Sequence, residues 1–338
     1  MSTDPPDPPA RVRTAPLSAA ERRHFWWSAP PLLVLVLAHV IFDLAGGGYA
    51  SVGDRLVAAA PGGGDPRREA VVVAALLAWA AFAVVWFVVA AGTGWIAWRM
   101  VAERVRGRAR RPFSIFLAVV ALGGLAHLGV VDRAEPALYG IFGVTLQALI
   151  AEPTVAPAQV TVVRAVVAAI NGLSVLVPAL VLAAAVATAL PPTGGWSEVA
   201  LVRRARQVRQ VVAIGAAILV AGILHMGAWT QLAGATLAVD ADHALDLVAV
   251  AVTLFWGAAT TLMIASFYLP MGLRLSELAR GVMDAQGIAE AERRDWLTAR
   301  GLSFEPSQQL PQIAAVAAPL LAGPVSGAIG AAAERVAF

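Results

Sequence analysis

Six apolar runs, each long enough to cross a bilayer, set the terms for everything else in this 338-residue chain. A crossing takes about 20 predominantly apolar residues, because the hydrocarbon offers no water and the backbone must bond to itself. The runs are Phe25 to Ala45, Ala70 to Trp98, Phe113 to Val131, Val160 to Leu190, Val211 to Thr230 and Leu245 to Pro270. Over the whole chain 59% of residues are hydrophobic and only 14% charged, where a soluble domain carries about 25% charged residues. No single soluble core of this length hides that much apolar surface. The expected fold is an all-α integral membrane protein of six transmembrane helices.

The chain has no cysteine and no lysine, so all 25 basic residues are arginine. Disulfides, thiolate metal sites, a Cys nucleophile, Schiff-base chemistry and the P-loop are excluded together. This usage suits a GC-rich coding sequence. The arginines also orient the spans. Twenty fall in the N-terminal tail, the second and fourth connections and the C-terminal tail, and four (Arg55, Arg67, Arg68 and Arg133) fall on the other side. Positive charge marks the cytoplasmic loops, so both termini are expected inside, in a bacterial cytoplasmic (inner) membrane. Three parts follow: a disordered Pro/Arg-rich cytoplasmic tail over 1–24, the membrane domain over 25–270, and a cytoplasmic amphipathic helix plus an apolar segment over 271–338.

The first, third and fifth spans share an internal pattern. Arg23 precedes His39, Arg111 precedes His127 and Arg209 precedes His225, each by 16 residues. Leu37-Ala38-His39 matches Leu125-Ala126-His127, and Ile223-Leu224-His225 is a weaker third copy. The reading is three tandem helical hairpins over about 22–109, 110–208 and 209–280, an organisation common in transporters and channels. A rise of about 24 Å over 16 helical residues puts the three imidazoles at matching depth in the outer leaflet.

Buried polar groups in spans most often bond helix to helix. The sharper alternative is a pathway lined by His39, Asp43, His127, Asp132, His225, Arg164 and Asn171 that moves protons or cations. Asp43 follows His39 by four residues and so shares its helix face. Asp240, Asp242 and Asp246 form an outer acidic rim. That rim concentrates cations, or it is an ordinary set of solvated helix-start acids. Three histidines without a ligand-spaced motif give no metal site, and no cofactor is implied. In the fourth span Pro178 should kink the helix. In the sixth, Thr260, Thr261 and Ser266 should bond back to their own backbone or to a neighbour. Trp79 and Trp86, one heptad apart, read as a packing stripe.

At the Arg-rich face, Arg104, Arg106, Arg108, Arg110, Arg111, Arg203, Arg204 and Arg206 are anion-binding candidates, for lipid headgroups, a small anionic ligand or an oligonucleotide. A charged amphipathic helix is expected from Leu273 to Thr298, stopping at Gly301. The apolar stretch 311–333, interrupted by Pro319 and Pro324, reads as interfacial, re-entrant or subunit-packing, with a GxxxG spacing at Gly323 and Gly327. Leu138 to Ala151 is a further apolar stretch at the outer surface or dipping into the membrane. No GxSxG, HExxH, GxGxxG or P-loop supports an enzyme. The leading expectation is an oligomeric ion channel opened by a ligand or partner at the Arg-rich face, a layout that suits a stress or defence effector. A secondary transporter is the alternative, and a scaffold or accessory subunit of a membrane complex the third.

Overall fold

A computed structural model describes residues 24–46, 66–105, 110–134, 137–192, 195–237, 242–302 and 313–322. All regular structure among them is helical, and five of the described helices are long and apolar enough to cross a membrane. In chain order the helices are α1 (Ala29–Gly46), α2 (Pro66–Arg104), α3 (Arg110–Ala134), α4 (Ala137–Ala151) and α5 (Pro157–Ala189). They continue with α6 (Glu198–Thr236), α7 (Asp242–Ala285), α8 (Arg293–Ala299) and α9 (Ile313–Ala322). The five membrane-length helices are α1, α2, α5, α6 and α7. The third expected span lies in α3, a helix of 25 residues whose described side chains include the apolar stretch Arg111–Ala126.

Local chemistry explains the ends. Ser197 caps α6 by accepting from the Ala200 amide at 3.3 Å. Pro157 opens α5, where its missing N–H costs nothing. The charged helix expected from Leu273 is instead the continuation of α7, which runs unbroken through Pro270 to Ala285. A proline removes one helical bond without ending a helix that packing holds on both sides. The chain turns at Gly287, with φ at +68°, and α8 stops at Gly301, with φ at +63°. Both are left-handed conformations that glycine adopts freely.

The centre of the bundle is α6, packed lengthwise against α2 on one side and α7 on the other. Near mid-helix Trp86, Ile170, Val177 and Ile218 join α2, α5 and α6. Toward one end Trp79, Leu149, Val163 and Trp229 extend that core to α4. Helix α4, the apolar stretch 138–151, is thus packed against α1, α5 and α6. Helix α1 leans on α7 through Ala38, Phe42, Val252 and Trp256. Among the described residues α1 and α2, neighbours in sequence, share at most marginal contact, whereas α6 and α7 pack along their length.

Ionic and capping contacts tie each end. At the Arg-rich end Arg300 pairs with Glu198 at 2.7 Å, and Arg209 donates to the Gly301 carbonyl at 2.7 Å. At the opposite end Arg68 of α2 pairs with the buried Glu152 at 2.9 Å and donates to the Thr236 carbonyl at 2.8 Å. One guanidinium there joins the start of α2, the α4–α5 junction and the last turn of α6, where a cation meets the negative end of the helix dipole. Helix α9 lies against the apolar part of α7. A Cβ added to Gly257 would fall 2.6 Å from the Pro319 carbonyl oxygen, so only glycine permits this approach.

An intramembrane chamber and an arginine-rich end

The helices leave a chamber of about 730 Å³ between α1, α3, α5, α6 and α7, with Trp86 of α2 at its back. Most of its wall is aliphatic. The polar groups that line it come from three helices: His39 and Asp43 on α1, Asn171 and Ser174 on α5, and His225 on α6. Four of these five are polar positions that stand out in the sequence as candidates for a pathway. Pro178 lines the same chamber and has no N–H to offer the Ser174 carbonyl one turn earlier. On the α3 side the wall is tight, since a Cβ at Gly124 would lie 2.4 Å from Val175 of α5.

The two described histidines are held differently. His225 is 3% exposed, and the Trp79 indole donates to its Nε2 at 3.0 Å. Trp79 packs in turn on Trp229, with ring centroids 5.4 Å apart. This is a helix-to-helix bond of the kind that locks spans together. His39 is half-buried, donates from Nδ1 to the Leu35 carbonyl one turn back at 2.9 Å, and meets Trp256 edge-on with centroids 4.7 Å apart. The third histidine, His127, and Asp132 lie in α3, outside the residues whose side chains are described. Asp240 is outside the described residues, and the side chains of Asp242 and Asp246, in the first turns of α7, are likewise outside them.

Arg164 is exposed on α5 and does not line the chamber, although Asn171 seven residues later does. Thr260 bonds back to the Trp256 carbonyl at 2.7 Å and Ser266 to that of Met263 at 2.8 Å, while the Thr261 hydroxyl is buried without a partner. Among the described residues no group of three His, Asp or Glu is arranged to hold a metal ion.

At the Arg-rich end the described candidates divide. Arg204 is only 2% exposed and donates to the Ala187 and Leu190 carbonyls, closing the C-terminus of α5. Sequence pattern alone placed it on a ligand-facing surface. Its use as a cap depends on α5 and α6 meeting end to end. Arg104 donates to Gln207 at 2.6 Å, and Arg204 reaches the same amide oxygen at 3.4 Å. Arg111, Arg203 and Arg206 are exposed, the side chain of Arg110 is not described, and Arg106 and Arg108 lie outside the described residues. Among the described residues none of Arg104, Arg203, Arg204 and Arg206 has a carboxylate partner, whereas Arg99, Arg274, Arg293 and Arg300 do.

No protein-family model, curated protein or solved structure matches the chain. The architecture itself defines the class: this is a multi-pass helical membrane protein whose long apolar helices contact the bilayer.

Proposed function

We propose that this protein is a membrane carrier that holds a small, largely apolar molecule in the chamber and releases it by movement of the thinly packed helices around it. The observation that carries this reading is the convergence of His39, Asp43, Asn171 and His225, from three separate helices, on one otherwise apolar chamber. A volume of about 730 Å³ falls within the range of small-molecule sites, which are mostly apolar with a few placed polar groups. Helix α5 runs continuously through Pro178, which leaves the Ser174 carbonyl beside the chamber without its helical donor. The six-span arrangement, with α3 as the third crossing and the Arg-rich end cytoplasmic, belongs to the same proposal and rests on the arginine distribution.

The channel expectation has less support. Conduction of an inorganic ion asks for a continuous polar or charged lining, and this wall is mainly aliphatic. His225, a candidate for passing protons, is engaged by Trp79.

Reconstitution into liposomes and planar bilayers separates the two. The carrier reading expects uptake of a lipophilic tracer that saturates with its concentration, and no unitary current steps. Discrete conductance steps from the purified protein would overturn it. Ser174→Phe, which fills the chamber from an exposed position, should abolish uptake while leaving the protein monodisperse.

A further inference from the structure

The charge of the chamber wall narrows what it holds. Among the described lining residues Asp43 is the one charged side chain, and no arginine is present. That is notable in a chain with 25 arginines, because the described ones gather at the two ends or, like Arg164, lie outside the chamber. Asp43 is half-buried, and no described side chain forms a hydrogen bond or ion pair with it. A carboxylate in apolar surroundings is costly unless a cation meets it.

The rest of the wall supports the same sign. Trp86 and Phe267 are among the lining residues, and aromatic rings attract cations through the ring quadrupole. The Ser174 carbonyl, without its helical donor beside Pro178, is a further acceptor. Small inorganic cations fit poorly. They require several oxygen ligands or their own hydration shell, and the aliphatic wall supplies neither. Anions meet like charge at Asp43.

We infer that the chamber binds a lipophilic cation, an organic molecule with apolar bulk and a delocalised or ammonium positive charge, with Asp43 as its counter-charge. This rests on the chamber being a ligand site, as proposed above. A pair of probes with one shape and opposite charge tests it: tetraphenylphosphonium and tetraphenylborate. Each is titrated by equilibrium dialysis against the full chain in zwitterionic nanodiscs, with empty nanodiscs subtracted. The expected result is saturable binding of the phosphonium alone, weakened at least tenfold by Asp43→Asn and lost in Ser174→Phe. Leu44→Ala, on the lipid side next to Asp43, should leave binding unchanged. Monodispersity in size-exclusion chromatography verifies that each variant is folded.

The outcomes are distinct. If both probes bind saturably, or Asp43→Asn binds phosphonium like the parent, the charge assignment is overturned while the chamber reading survives. If neither probe nor a neutral lipophilic dye binds above empty nanodiscs, both fail.

Discussion

Helices α6 and α1 contribute to the same chamber, yet they are built to opposite plans. More than half of the apolar stretch of α6 is buried inside the protein, against about a fifth of that of α1. Helix α6 is gripped by α2 and α7 along its length, and by α4 and α5 besides. Among the described residues helix α1 rests mainly on α7, and Leu33, Leu37, Ile41 and Leu44 face outward. In a bilayer that outward face touches acyl chains, which are as apolar as leucine, so exposing it costs little. The two histidines follow the same division. His225 bonds across to another helix, and His39 bonds within its own. Low local contact is the property that mobile elements need, so in the proposed carrier α6 serves as the frame and α1 as the wall that moves.

The largest test of this comparison is Trp229→Ala on α6. The ring is fully buried against Trp79 of α2, and its loss should cost about 3–5 kcal/mol in reversible unfolding from mild detergent. Next is Gly257→Ala on α7, where the new methyl collides with the Pro319 carbonyl. Overpacking of this kind costs about 1–3 kcal/mol, and hydrogen exchange of 313–322 followed by mass spectrometry should accelerate about tenfold or more. Smaller still is His225→Leu, which leaves the Trp79 indole N–H without its acceptor. Interhelical bonds in membranes average about 0.6 kcal/mol and reach about 1.7, so a loss near 1 kcal/mol is expected on the same unfolding scale. Least is Leu33→Ala on the lipid face of α1, expected within about 0.5 kcal/mol of the parent. A cost for Leu33→Ala approaching that of Trp229→Ala would erase the distinction between frame and wall.

Sequence reveals where lipid is more readily than where helices end. The run Val211 to Thr230 locates the buried core of α6, but the helix begins at Glu198 and ends at Thr236. Its first turns carry Arg203, Arg204, Arg206 and Arg209, which no hydropathy pattern admits to a span. The same holds for α2, which begins before Ala70 and continues past Trp98 to Arg104. Polar positions inside apolar runs were legible for a related reason: His39, Asp43, Asn171 and His225 are expensive in hydrocarbon and therefore conspicuous. Their partners were not. Trp79 bonds His225 across 146 residues of chain, and Arg68 finds Glu152 across 84. Which helices adjoin is decided by three-dimensional packing, so the sequence offers Trp79 and Trp86 as a stripe without saying what the stripe meets. Arg204 illustrates the limit from the other side. Its charge pattern suggests a surface for ligands, and its position between two helix ends makes it a cap.

The seat of α9 on α7 bears on how the molecule is made. Of the described helices α9 is the last to leave the ribosome, yet the place it occupies is an apolar, glycine-floored slot in a helix synthesised well before it. Until α9 has been made, the face of α7 around Gly257 lacks the backbone that covers it. Final packing around Gly257 then waits until translation has passed Ala322. A chain ending before Ile313 would lack that cover, and Gly257 would meet lipid in place of the Pro319 carbonyl.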